Sequence, residues 1–124
     1  MTKKEEYYIS DFTNGKSDHT LALFNHFITK FNTIGKVDII PLKAMIGLDN
    51  GTKRIAYITQ LGKNFIHVVF PLKQGYFDNM CFTKIPQVPG QQQFNHHFRM
   101  LNLNDVNDEV MSFMRLAYRG EPEE

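Results

Sequence analysis

Apolar residues recur with two different periods along this chain, and the changes of period mark its elements. Leu21, Phe24, Ile28 and Phe31 fall at i, i+3, i+7 and i+10, with Leu23, Phe27 and Ile34 widening the stripe. This is the spacing of one helix face and predicts a helix of roughly 16 residues. Ser17 precedes it as an N-cap, and Asp18 stands in the first turn, where the helix dipole favours an acid. Gly35 stands where a helix often ends on a left-handed residue. Near the other end of the chain, Val106, Val110, Phe113, Met114 and Ala117 repeat the helical spacing. Asn104 or Asp105 is the expected cap of this second helix and Gly120 its stop.

Between the helices the texture is extended. Val37, Ile39 and Ile40 begin a strand that Pro41 interrupts, which suggests an edge or a bend. Ala44 to Leu48 is a second short run, and Asp49-Asn50-Gly51 is a strong turn signal. Arg54 to Leu61 is β-rich, Gly62-Lys63-Asn64 reads as the next turn, and Phe65 to Phe70 is the clearest strand, stopped by Pro71. Met80 to Ile85 reads as a further strand. A breaker-rich connection around Pro89-Gly90 follows, and Gln93 to Leu101 alternates as the last strand. Gly47 and Gly51 read as turn residues, residues 1–16 as a polar lead-in and 121–124 as a solvated tail. Strands joined by short turns are antiparallel. The expected fold is therefore α+β: an antiparallel β-meander of about five or six strands, with an N-terminal and a C-terminal helix packed on one face. One domain spanning 1–124 is expected.

Composition narrows the class. The chain is 42% hydrophobic with eleven Phe, enough for a core without staples. Its formal net charge is +1, with 14 basic and 13 acidic residues, whereas a generic nucleic-acid binder is strongly basic. A nucleic-acid partner is thus disfavoured. One cysteine, Cys81, allows no intrachain disulfide, and no apolar run approaches the ~18 residues of a membrane span. The first residues carry acids and no apolar core, unlike a signal peptide. A cytoplasmic location is the expectation.

Candidate chemistry is sparse. His96 and His97 are adjacent, so in a strand they face opposite ways. His96 shares its face with Phe94, Phe98 and Met100 and reads as a packed, hydrogen-bonded core histidine. His97 shares the other face with Asn95 and Arg99, a polar surface or a small anion-binding one. Ile66, Val68 and Phe70 look like the helix-covered side of their strand, which puts His67 on the opposite side. If those strands are neighbours, His67, His97 and Arg99 converge. His19 and His26 lie seven apart, not at the i, i+4 spacing of a helical metal pair. Cys81 reads as a structural thiol, and Asp105, Asp108 and Glu109 read as helix-start acids. No phosphate loop, nucleophile elbow or His-Glu-x-x-His occurs, and no cofactor or metal is expected.

Lys63-Asn64-Phe65, His96-His97-Phe98-Arg99-Met100, Asn104-Asp105-Val106-Asn107-Asp108-Glu109-Val110 and Arg115-Leu116-Ala117-Tyr118 together resemble a family of small bacterial domains of unknown function. That family occurs alone or at the C-terminal end of predicted transport proteins. More distantly, the pattern is similar to small YdhG-like domains. The resemblance runs from about Phe12 to Tyr118. It implies a small intracellular α+β domain and transfers no catalytic residue.

Two functional expectations follow. One is a non-catalytic binding module that self-associates, as a homodimer, through the sheet face the helices leave open. The other is a small-ligand or enzymatic domain with His67, His97, Arg99, Tyr57 and Lys84 around a pocket, Arg99 holding an anion and a histidine exchanging protons. An accessory role on nucleic acid is a third, which the charge balance weakens.

Overall fold

The structure is a computed structural model that describes residues 6–122. Helices α1 (Ser10–Thr13) and α2 (Asp18–Asn32) precede five strands: β1 (Asp38–Pro41), β2 (Ile46–Asp49), β3 (Arg54–Gly62), β4 (Phe65–Leu72) and β5 (Phe94–Met100). A 3-10 turn at Leu103–Asp105 leads into α3 (Asp108–Arg119). The sheet order is β1-β2-β3-β4-β5 with every neighbour antiparallel, the expected meander.

The turns follow from their residues. Asn50 Oδ1 accepts from the N–H groups of Thr52 and Lys53 while Gly51 takes a φ of 99°, closing β2 onto β3. Asn64, at φ 63°, supplies the left-handed residue between β3 and β4, and its Oδ1 accepts from the Ser17 hydroxyl. That second turn also docks α2. Thr20, buried in the helix, donates to the Gly62 carbonyl at 2.7 Å and accepts from the Asn64 N–H at 2.9 Å. Ser17 caps the helix as expected, accepting from the Thr20 N–H.

One sheet face carries the core. Leu23, Phe24, Phe27 and Phe31 of α2 and Val110, Phe113, Met114 and Ala117 of α3 bury against Ile58, Leu61, Ile66, Val68, Phe70, Phe98 and Met100. Phe27, Phe31 and Phe70 form an aromatic triangle with centroids 5.5 to 6.5 Å apart. Fully burying each such ring contributes about 1.5–3 kcal/mol. Helices α2 and α3 thus lie on one side of the meander, and among the described residues no helix covers the opposite side.

Several local expectations are corrected. Pro71 does not end its strand. Asn95, opposite Pro71, sends its N–H outward to the Pro86 carbonyl, so Pro71 and Asn95 form a non-bonded pair. The Pro71 nitrogen therefore faces the β3 side, beyond the last registered pair, Tyr57 and Val69, where no donor is needed. Residues 80–85 form no regular strand. Only Lys84 and Gln87 bridge to β5, because Pro86 cannot extend a ladder, and the segment runs irregularly along the β5 edge and covers it. Pro41 does lie on an edge strand, β1.

Asn107, not Asn104 or Asp105, caps α3 by accepting from the Val110 N–H. Asn102 and Asp105 instead cap the preceding 3-10 turn. Gly35 has no positive φ; its lack of a side chain admits the Tyr118 ring, which a Cβ there would meet at 2.4 Å. Gly47 is a mid-strand residue of β2 crossed by the Arg54 side chain, not a turn residue. Within the supposed polar lead-in, residues 10–13 are helical, and Ile9 and Phe12 pack against the core; residues 1–5 lie outside the described part. Glu121 is not a solvated tail residue. Its carboxylate accepts from the Lys73 and Gln74 N–H groups and from the Tyr76 hydroxyl, while 123 and 124 lie outside the described residues.

Candidate functional site

The register of β4 on β5 decides what the helix-free face presents. His67 pairs with Arg99, and Val69 pairs with His97. The irregular edge segment adds Lys84, directly opposite His97, held by Thr83 N–H to His97 O at 2.8 Å and His97 N–H to Lys84 O at 3.0 Å. Residues opposite one another in a sheet share a face. His67, His97, Arg99 and Lys84 therefore stand on one surface, as the parity of each strand required.

The histidines are diagonal neighbours and touch. His67 Nε2 and His97 Nδ1 lie 2.8 Å apart, with ring centroids at 5.1 Å. One of these nitrogens carries the proton and the other accepts it. Either way round, the neutral pair is left with one further N–H donor and one further lone pair on its remaining nitrogens. The pair can thus present a donor by exchanging tautomers, without moving a ring.

Arg99 is exposed, and its guanidinium lies over the Phe65 ring at 4.4 Å, a cation–π contact that fixes its stem while leaving N–H groups for a ligand. Burial, then the charges of Arg99 and Lys84, lowers the His67 pKa from its ordinary value. His97 is lowered to about 4, by burial first and then by His67, Lys84 and His96. Both rings are neutral at pH 7, and the fixed charges beside them are positive. No carboxylate is among the groups acting on either imidazole.

Tyr57 is on the same face but apart from this cluster. It pairs with Val69, which lies between it and His97, so its backbone stands two strand spacings, about 10 Å, from that of His97. Its ring receives Arg54, whose guanidinium carbon is 5.5 Å from the centroid and which forms an ion pair with Asp49. Arg54 escaped the sequence reading; the signal available was a glycine, Gly47, in mid-strand, which leaves room for a long side chain to cross.

The remaining candidates fall elsewhere. His96 is wholly buried in the core, as its parity indicated. His19 donates to the Leu101 carbonyl at 2.7 Å and ties α2 to the end of β5. Burial and the neighbouring Glu109 push the Cys81 thiol up to about 12, which removes it as a nucleophile at neutral pH. Among the described residues no group of three or more His, Cys, Asp or Glu could hold a metal ion, and no helix is long and apolar enough to cross a membrane.

Searches of family models, curated proteins and solved structures found no match to the chain, so the function is argued from this geometry alone.

Proposed function

We propose that this protein is a non-catalytic binding module whose helix-free sheet face takes an anionic small molecule, a carboxylate or phosphate compound, through His67, His97, Arg99 and Lys84. One observation carries the reading: the sheet register collects two neutral imidazoles and two fixed cations on one surface, with no carboxylate acting on the rings. Arg99 and Lys84 supply the attraction, and the imidazole pair supplies a donor aligned by its own internal hydrogen bond. The chain's one thiol, Cys81, is pushed up to about 12 and offers no activated nucleophile, which favours binding over catalysis. A titration with inorganic phosphate, followed by backbone amide shifts, tests this. Saturable shifts centred on His67, Lys84, His97 and Arg99 are expected, and their loss in Arg99→Gln. Shifts that are absent, or centred elsewhere, overturn the assignment.

Self-association through the same face is the second reading, and the half-buried Tyr57 and Phe65 around the cluster favour it. Against it, the large hydrophobic side chains that are strongly exposed, Tyr8, Phe77, Met80, Leu101 and Leu103, all lie outside the strands. Light scattering over a wide concentration range separates the two. A concentration-dependent dimer that Phe65→Ser abolishes supports the second reading, and a monomer throughout removes it.

A further inference from the structure

Among the described residues the buried polar side chains are Thr20 and His96, and His96 alone of the two can take up a proton near neutral pH. Both its ring nitrogens are bound to backbone. Nε2 lies 3.1 Å from the Tyr76 backbone nitrogen and Nδ1 2.9 Å from the Phe94 carbonyl oxygen. A backbone N–H only donates, so Nε2 must be the lone-pair nitrogen, and Nδ1 carries the hydrogen that the carbonyl accepts. The neighbours have fixed one tautomer. A second proton has a single place to go, Nε2, where it would point at the Tyr76 N–H.

What this bond holds is a loop. Among the described residues, no strand pairing involves the stretch from Lys73 to Phe82. It is fastened at one end by Glu121, which accepts from Lys73, Gln74 and the Tyr76 hydroxyl. In its middle it is fastened by His96. Around that imidazole the rings of Tyr76 at 5.5 Å and Phe82 at 4.9 Å close in, and both also contact Phe113 of α3. The groups facing His96 are Tyr76 and Phe82 from the loop, the backbone of Phe70 in β4 and of Phe94 in β5, Glu121 from the C-terminal segment and, beside it on β5, His97; Phe113 of α3 lies behind the two loop rings. Glu121 is the charge that favours a proton there, and burial opposes it more strongly, so His96 stays neutral at pH 7.

We propose that His96 is an acid-released latch: protonation at Nε2 breaks its bond to Tyr76 and frees the 73–82 loop from the sheet while the meander stays folded. Tyr76 and Phe82 then leave Phe113, and an apolar surface on α3 opens to solvent. The latch does not depend on the anion reading, because His96 and the His67–His97 pair face opposite sides of β5.

Amide hydrogen exchange, expressed as protection factors between pH 7 and pH 5, reads the latch directly. Protection at Tyr76 and along the loop should fall about tenfold or more as the pH drops, while Ile58 and Val68 in β3 and β4 keep theirs. Unchanged loop protection, or an equal loss in the strands, overturns the proposal. His96→Gln keeps an acceptor for the Tyr76 N–H without a titrating ring, and should abolish the pH dependence. The same loss in that variant overturns the latch. Should His96→Gln fail to fold, the 15N shifts of the wild-type imidazole decide: Nε2 gaining its proton in step with loop release supports the latch, and Nε2 remaining unprotonated through the release overturns it.

Discussion

His96 and His97 are consecutive residues of one strand, and they have little in common beyond their side chain. His96 is fully buried beneath the Tyr76 and Phe82 rings of the 73–82 loop, with each ring nitrogen committed to a backbone group. His97 stands on the bare face, with one nitrogen on another histidine and Lys84 and Arg99 close by. Burial is the first cause of a lowered pKa at both. For His96 the hydrogen bonds and the charge of Glu121 oppose that shift, whereas every charge acting on His97 adds to it. A neutral histidine is therefore a packing element on one side of β5 and an available donor, short of protons, on the other. The strand's two-residue period separates a core histidine from one on the face proposed to bind, within a single peptide unit.

The largest effect that sharpens this contrast is on stability. Phe70 and His67 lie on opposite faces of β4. Phe70→Ala should cost about 3–5 kcal/mol in urea unfolding, because the cavity opens among Phe27, Phe31 and Phe82. His67→Gln should cost less than about 1 kcal/mol. Comparable losses from both would mean that the two faces are equally packed, and would break the comparison.

The pH dependence of stability comes next. The folded pKa values of His67, His96 and His97 all lie below the ordinary 6.5. Between the folded value and 6.5, the unfolded chain binds a proton that the folded chain does not. Stability should therefore be level above about pH 7.5 and fall as the pH drops through 6.5, with the His97 contribution continuing down towards 4. A single such group gives a limiting slope of about 1.4 kcal/mol per pH unit. His97→Gln should remove the part of the slope that continues below about pH 6 towards 4; stability that rises towards acid would contradict the assignment of neutral imidazoles.

The smallest stability effect, with the clearest functional one, belongs to His97→Gln. Its unfolding free energy should change by less than about 1 kcal/mol. Its affinity for inorganic phosphate, measured by calorimetry, should fall at least several-fold, because the donor that the imidazole pair turns outward is lost.

The two faces were not equally legible in the sequence. The covered face was the more legible: Ile66, Val68 and Phe70 alternate about His67, and the helical stripe through Phe24, Phe27 and Phe31 reads as a buried helix side, although Leu21, counted in it, stays outside the core. The parity of His67, His96 and His97 followed from those alternations. Which residue of β4 stands opposite which residue of β5 did not, because register is set by the connection between them. In the connection from Lys73 to Gln93 turn chemistry holds only the Pro89-Gly90 end, where the Gln91 N–H donates to the Val88 carbonyl and Gly90 takes a φ of 74°; the stretch before it is held by a buried imidazole, the Glu121 carboxylate and aromatic stacking. Lys84 was named as a candidate, but its place opposite His97 depends on an edge segment too proline-rich to read as a strand. Tyr57 shared the right parity and proved a strand too far away. The start of α3 was misplaced because Asn102, Asn104, Asp105 and Asn107 are all good caps, and only the 3-10 turn between them decides which one caps the helix.

The central claim is that the bare face binds an anion at the imidazole pair, and the ring nitrogens themselves report on it. An anion seated between Arg99, Lys84 and the two rings must favour their protonated forms, so its binding must raise their pKa. The 15N shifts of His67 and His97, followed through a pH titration with and without saturating inorganic phosphate, measure this. Both values should move upward with phosphate, and Arg99→Gln should cancel the movement. Titration curves for the two rings that superimpose with and without phosphate would contradict it.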